Sequence, residues 1–295
     1  MDPTPHAWSR GSRLGSSRVA ALVAGLAALA APPGALPVPG REHGSVARAN
    51  PMVAGVSALV AANDHGATVA PHTAGTRTSR PEEAQIPTRD GSSARASLLV
   101  RVPSAMAVYR RPVQASPTIG TVPSSSKYYH VPLVAWVEKV SADGGWGRVE
   151  IPYVWPRRDG WIPLKGLRRS STNVEVEIDL SRHRLIVTKF GTVRYASSAA
   201  IGAGGSPTPP GEYFVTDRIP FPSGGSLGTF AFGISGIQPH LPAGWGGGDQ
   251  LAIHGTNQPA TIGTNASAGC LRVSERSLRR LQPMLQLGTP VLIHA

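Results

Sequence analysis

The chain has 295 residues, of which 34 are Gly and 28 are Pro, too many for one compact domain and typical of linkers plus turn-rich β structure. Its net charge of +12 is Arg-rich but scattered, with no basic helical stripe, which sets nucleic acid aside and leaves a polyanionic wall surface as the better match. A single cysteine, Cys270, excludes an intramolecular disulfide and leaves either a tolerated buried thiol or a reactive one.

Arg10, Arg13 and Arg18 precede an apolar run from Val19 to Ala31, and Ala28-Leu29-Ala30 offers a small-x-small cleavage site. This predicts a secretory signal over residues 1–31, because the run falls short of the roughly 20 residues that a spanning helix needs. The alternative is an uncleaved anchor that associates with the membrane through the N-terminus. Either way the chain is read as exported, to the cell wall or a periplasm-like space. Residues 32–96 are rich in Pro, Ala, Gly, Thr, Ser and Arg, with poor hydrophobic periodicity, and read as a disordered tether.

From residue 97 the pattern changes. Leu98, Val100 and Val102 alternate, and short apolar stretches recur between Gly and Pro turns up to Gly160-Trp161-Ile162-Pro163. Such spacing predicts a small β-barrel over residues 97–169. Trp146 and Trp161 are read as core, with a ligand face that includes Trp155 as the alternative. Val174 to Leu180 alternates apolar and acidic residues, a half-exposed strand. Turns at Ser181–Arg184 and Gly191 make it the first strand of an antiparallel meander. Gly202-Ala203-Gly204-Gly205 lacks a following Lys-Ser/Thr and helix, so it is a turn rather than a phosphate loop. Ser274 is a candidate N-cap with Glu275 in the first turn, followed by a short helix through Leu278 and Leu281 that Pro283 limits. Val291-Leu292-Ile293 is the last strand.

The chemistry concentrates between Ile253 and Val273, where His254 lies sixteen residues before Cys270. A free thiol near its reference pKa of about 8.5 is only a few per cent thiolate at neutral pH, and a nearby imidazole can take its proton. Gly269 permits a tight turn on which successive amides converge, so the N–H groups of Gly269 and Cys270, with Ala268, are candidates for an oxyanion hole. Arg272 is placed to pair with a substrate carboxylate. Taken singly, a lone Cys, a lone His and a Gly-rich loop are each ordinary; the functional reading rests on their conjunction in an exported chain.

His254-Gly255-Thr256 and Ser267-Ala268-Gly269-Cys270-Leu271-Arg272 together resemble the catalytic motif of the YkuD-type L,D-transpeptidase family. Ile201-Gly202, Ser206 to Tyr213, and Gly288-Thr289-Pro290-Val291 resemble it too, so the likeness covers roughly residues 173–295. The stretch from Gly144 to Pro163 resembles bacterial SH3-like domains, a common companion. The resemblance implies a mainly β chain: a YkuD-like β-sandwich with a short helix at residues 173–295, preceded by the SH3-like barrel and the tether. It implies that Cys270 is acylated by a donor peptidoglycan stem peptide with loss of D-alanine. His254 would be the base, oriented by the Gly255 carbonyl. Ser267 would support the nucleophile loop, and Arg272 and Thr256 would contact substrate. An acceptor stem amine would then complete a 3→3 cross-link. Carbapenem-type inhibitors are expected to acylate the same thiol. Many members carry His where this chain has Ala268, and others Lys or a small residue, so the resemblance does not carry over a second imidazole at that position.

Two other readings keep the same residues: an L,D-carboxypeptidase that uses water as acceptor, and a wall-binding protein whose catalytic domain is inert. The His-to-Cys spacing disfavours sortases and papain-like proteases. No cofactor is implied, and His240 and Asp249 make no metal spacing with Cys270. Residues 215–250, with Phe221, Phe230, Phe232 and Trp245, are expected to form a loop that partly covers the site, with Phe230, Phe232 or Trp245 on the substrate path.

Overall fold

The computed structural model describes residues 96–221, 225–245 and 248–295. Residues 1–95, which hold the expected signal and nearly all of the expected tether, lie outside the described residues.

The leading part contains β1 (Ser97–Arg101), β2 (Met106–Tyr109), β3 (Thr118–Val122), β4 (Val134–Val137), β5 (Lys139–Val140), β6 (Trp146–Ile151), β7 (Arg158–Pro163) and β8 (Arg169–Thr172). They form a five-stranded sheet in the order β3-β2-β7-β6-β5 and a three-stranded sheet in the order β4-β1-β8, antiparallel throughout. Val100, Val108, Val122, Leu133, Val149 and Ile162 fill the space between them, all at 0% exposure, and Phe214 joins this cluster from the second half of the chain. One expectation fails here. Trp146 and Trp161 are half-buried rather than core. Strand parity is the reason: successive side chains alternate faces, so burial of Gly147, Val149, Gly160 and Ile162 turns both indoles to the outer face, beside Arg148. The Trp146 ring meets Tyr109 edge-on at 5.4 Å, and Trp155 is 47% exposed.

The second half contains β9 (Val174–Asp179), β10 (Arg184–Lys189), β11 (Thr192–Ser198), β12 (Ile201–Gly202), β13 (Gly211–Pro220), β14 (Phe230–Ile237), β15 (Gln250–His254), β16 (Asn265–Ser267), β17 (Leu271–Arg272), α1 (Glu275–Leu281) and β18 (Pro290–His294). Eight of these make one sheet in the order β11-β10-β9-β18-β13-β14-β15-β17, and β12 pairs with β16. The meander β9-β10-β11 follows the alternation in sequence: Val176 and Ile178 are buried, while Glu175 and Glu177 are partly exposed. The sheet is mixed rather than purely antiparallel, because β18 joins β9 in parallel and β17 joins β15 in parallel. Each parallel neighbour follows a long crossover, as parallel pairing requires.

Ser274 caps α1 by accepting a hydrogen bond from Ser277 N at 3.1 Å. The helix is one-sided: Leu278 and Leu281 are fully buried on the sheet's core, with Ile253, Leu271 and Phe232. Among the described residues this is the only α-helix, so the chain is mainly β. Residues 215–250 correct a second expectation. Most of this span is strand, because β13 continues to Pro220 and β14 spans Phe230–Ile237; only the connections on either side of β14 are loops. Phe230 and Phe232 pack on each other at 4.9 Å inside the core, not on a substrate path.

Candidate active site

β15 ends at His254 and β17 begins immediately after Cys270. The two strands pair in parallel, with Ile253 opposite Leu271 and His254 opposite Arg272. In a parallel pair, opposed residues point to the same face. Ile253 and Leu271 therefore both enter the core, at 0% and 1% exposure. His254, Arg272 and Cys270 turn the other way, and all three line one cavity. Burial of such a side chain stabilises by about 1.5–3 kcal/mol, so the apolar partners lock the register that sets the chemistry. Ser267, Ala268, Gln238, Gln250 and Trp245 share the cavity wall. Of the aromatic residues expected over the site, Trp245 and Phe221 are the two that reach it.

The turn before Cys270 is held from three sides. Gly269 adopts φ +113°, and a side chain there would collide with the Gln238 amide. Gln238 is itself fixed, because its Nε2 donates to Ser206 O at 3.2 Å and Pro207 O at 2.9 Å. Thr208 Oγ1 accepts from Gly202 N at 2.9 Å and donates to Gly269 O at 2.8 Å. Ser267 Oγ donates to Cys270 O at 2.5 Å and accepts from Gly269 N at 3.1 Å. The last bond corrects the expected set of oxyanion donors. A hydroxyl two residues upstream closes a local turn on the Gly269 amide, leaving the amides of Cys270 and Ala268 as the candidates not so engaged.

His254 is 3% exposed, and its Nδ1 lies 2.5 Å from Gly255 O. A carbonyl can only accept, so Nδ1 carries the hydrogen and Nε2 carries the lone pair. Burial, and then the positive charge of Arg272, push the imidazole down to about 4, against the opposing pull of the Gly255 carbonyl. Burial raises the Cys270 thiol above its ordinary value, opposed by the Ala252 backbone and by Arg272. Gly255 has no room for a side chain, since a Cβ would lie 2.8 Å from Gly228 Cα and against Glu275.

Arg272 is 6% exposed, and its Nη1 donates to Gln258 Oε1 at 3.4 Å. Among the described residues no carboxylate pairs with it. Thr256, expected at the substrate, instead accepts from Gln258 N at 2.9 Å and does not line the cavity. It shapes the loop that carries the Arg272 partner. No group of three or more His, Cys, Asp or Glu able to hold a metal occurs among the described residues.

Four residues at or behind the site were not singled out from sequence: Gln238, Gln258, Thr208 and Tyr129. Thr208 lay inside a quoted motif, which was a usable signal. Gln258 lay between His254 and Cys270 in the stretch where the chemistry concentrates, a weaker signal; Gln238 and Tyr129 carry none, because each acts through a contact set by the fold.

Residues 173–293 match the family model described as YkuD, the L,D-transpeptidase catalytic domain. A Bacillus licheniformis chain bearing the name L,D-transpeptidase YkuD is 33% identical over 133 residues, covering 45% of this chain and 73% of that one. The Bacillus subtilis strain 168 chain of that name is 32% identical over 119 residues, covering 40% and 65%. Among solved structures, L,D-transpeptidase 3 from Mycobacterium tuberculosis, in complex with a faropenem-derived adduct, is 13% identical with a TM-score of 0.37, covering 66% of this chain and 98% of that one.

Proposed function

Taking as premise that the chain belongs to the YkuD family of L,D-transpeptidase catalytic domains, we propose that it forms 3→3 cross-links between peptidoglycan stem peptides through a thioester on Cys270. The supporting observation is that His254, with Nδ1 committed to Gly255 O, shares one strand-pair face and one cavity with Cys270.

Both groups rest neutral. The imidazole is uncharged above a pH of about 4, and the thiol is raised by burial. The proton therefore moves as the bond forms. His254 Nε2 takes the Cys270 proton while Sγ attacks the donor carbonyl carbon. The bond from that carbon to the terminal D-alanine nitrogen breaks, and His254 returns the proton to the leaving amine. The acceptor amine then attacks the thioester, His254 takes its proton, and the thiolate leaves and is reprotonated. Negative charge on the tetrahedral oxygen is met by the amides of Cys270 and Ala268; one such donor contributes on the order of 10²–10³ in rate. The unpaired Arg272 guanidinium takes a stem-peptide carboxylate. A carbapenem acylates the same thiol.

Residues 173–295 are the catalytic domain in this reading, residues 97–169 an SH3-like companion, and residues 1–31 the export signal that brings the protein to the wall. Incubation of the purified chain with a disaccharide-tetrapeptide alone tests the reaction. Cross-linked dimers that have lost one D-alanine are expected. Tripeptide monomers without dimers would identify water as the acceptor instead, and no product would remove the reading.

A further inference from the structure

The loop between β3 and β4 reaches the catalytic cavity from the leading sheets. It is braced internally: Ser126 N donates to Val131 O at 2.8 Å, Val131 N to Ser126 Oγ at 3.0 Å, and Leu133 N to Ser124 O at 2.9 Å. His130 adopts φ +53° at its tip, a conformation rarely taken by residues other than glycine. Two successive residues of this loop then engage the segment that enters β15, and a third lines the cavity. Lys127 Nζ donates to both carboxylate oxygens of Asp249, at 2.7 and 2.9 Å. Tyr128 Oη donates to Asp249 Oδ1 at 2.7 Å and accepts from Asp249 N at 3.2 Å. The third residue, Tyr129, lines the same cavity as His254, Cys270 and Arg272.

The Tyr129 hydroxyl is shielded from solvent, and it has no hydrogen-bond partner among the described residues. Such groups are nearly always paired in folded proteins, so an orphan at a cavity wall calls for a ligand or a cost. Burial, and then the charge of Asp217, push this phenol up to about 12, so it stays a neutral O–H that can donate and accept. Asp217 is fully buried and its Oδ1 is unpartnered as well. That negative neighbour favours a donor on the ligand, an amide N–H or an ammonium, over a carboxylate.

We propose that Tyr129 is a substrate-binding residue lent to the catalytic cavity by the leading sheets, its side chain shifting on binding so that the hydroxyl, shielded in the free chain, accepts from an amide or ammonium of the stem peptide. Lys127 and Tyr128 are the positioning residues that clamp it there through Asp249. This rests on the stem peptide being the substrate, as argued above, and adds a residue outside the segment that matches the family model.

The test uses the full chain and a synthetic tetrapeptide stem, with three readouts: calorimetric affinity, the rate of Cys270 acylation by intact mass, and the thermal midpoint. Tyr129→Phe should weaken binding and the second-order acylation rate by about 10-fold, the worth of one hydrogen bond in a cavity. The midpoint should hold or rise, because an unpaired polar atom has been removed. Lys127→Ala should change affinity in the same direction by less. Unchanged affinity and rate in Tyr129→Phe would overturn the proposal, as would a fall in midpoint that accompanies the loss, since that marks a structural hydroxyl. If the parent chain binds the stem without acylation, the transpeptidase reading fails while the affinity ratio still decides Tyr129. If the parent chain does neither, both fall.

Discussion

Two guanidinium groups in this molecule are withdrawn from water in opposite circumstances. Arg157 is half-buried and surrounded by acceptors: it pairs with Glu138, reaches Asp159 Oδ1 at 3.4 Å and Glu150 Oε1 at 4.0 Å, and donates to Glu212 O at 2.7 Å. Arg272 is more deeply buried, at 6% exposure, and has only the neutral Gln258 amide. Burying a charge is costly unless it is paired. The deeper cation is therefore the one whose pairing is incomplete, and it lies on the cavity wall beside Cys270. Arg157 ties β7 to β13; Arg272, in the proposed function, meets an anion that arrives with the substrate.

The contrast breaks most visibly at Arg272. Arg272→Gln should lower the acylation rate of Cys270 by a carboxylate-bearing stem peptide by roughly 10–100-fold, the worth of a charge-assisted hydrogen bond. Its urea midpoint should hold or rise, since an uncompensated buried charge is gone. A large loss of stability would show that Arg272 is structural after all. Arg157→Gln should do the reverse. It should cost about 1–3 kcal/mol in urea unfolding, because the half-buried Glu138 carboxyl and the Glu212 carbonyl lose their hydrogen-bond donor, and alkylation of Cys270 by iodoacetamide should continue at the parent rate.

A smaller effect sharpens the Arg157 side. Burial pushes Glu150 up to about 8 and Glu138 up to about 7, in each case partly offset, by Ser235 and Arg157 for Glu150 and by Arg157 for Glu138. Carboxyls raised on folding hold extra protons in the folded state. Their contribution is full below the ordinary carboxylate range and is lost as pH rises through the raised values. Thermal midpoints should therefore fall between pH 5 and pH 8. Glu150→Gln, which keeps a polar group facing Ser235, should flatten that slope; an unchanged slope would remove Glu150 as its source. The smallest effect reads Arg272 through its neighbour. The His254 ring should titrate at about 4 by NMR, and Arg272→Gln should move that titration upward, because the cation is one cause of the depression. No upward movement would separate the two residues electrostatically.

Legibility of the structure in the sequence followed the range of the interactions involved. β9 to β11 and α1 were readable because their signals are local: alternation, turn residues, and the Ser274 cap with Glu275 beside it. That His254 and Cys270 share one cavity was readable, because strand β15, the crossover and β17 compress them into one short segment. The face chosen by Trp146 and Trp161 was not readable, since it depends on which parity Gly147 and Gly160 bury. The Ser267 hydroxyl could be assigned to the nucleophile loop, but not its capture of the Gly269 amide. Thr208 acts on Gly269 across 61 residues, and Tyr128 reaches Asp249 across 121, and no local pattern announces either contact. Phe230 and Phe232 were misplaced because a Gly-rich, aromatic stretch suggests a loop, whereas β14 lies between two strands in the interior of the sheet and needs large apolar residues there.

Single-turnover acylation of Cys270, read by intact mass, tests the pairing of thiol and imidazole most directly. Mixed with a tetrapeptide stem, the folded parent chain should gain the mass of the peptide less D-alanine, and His254→Gln should slow that gain by about 10²–10⁴-fold, the usual worth of general-base catalysis. A parent chain that stays unmodified, or a His254→Gln chain acylated at the parent rate, would contradict it.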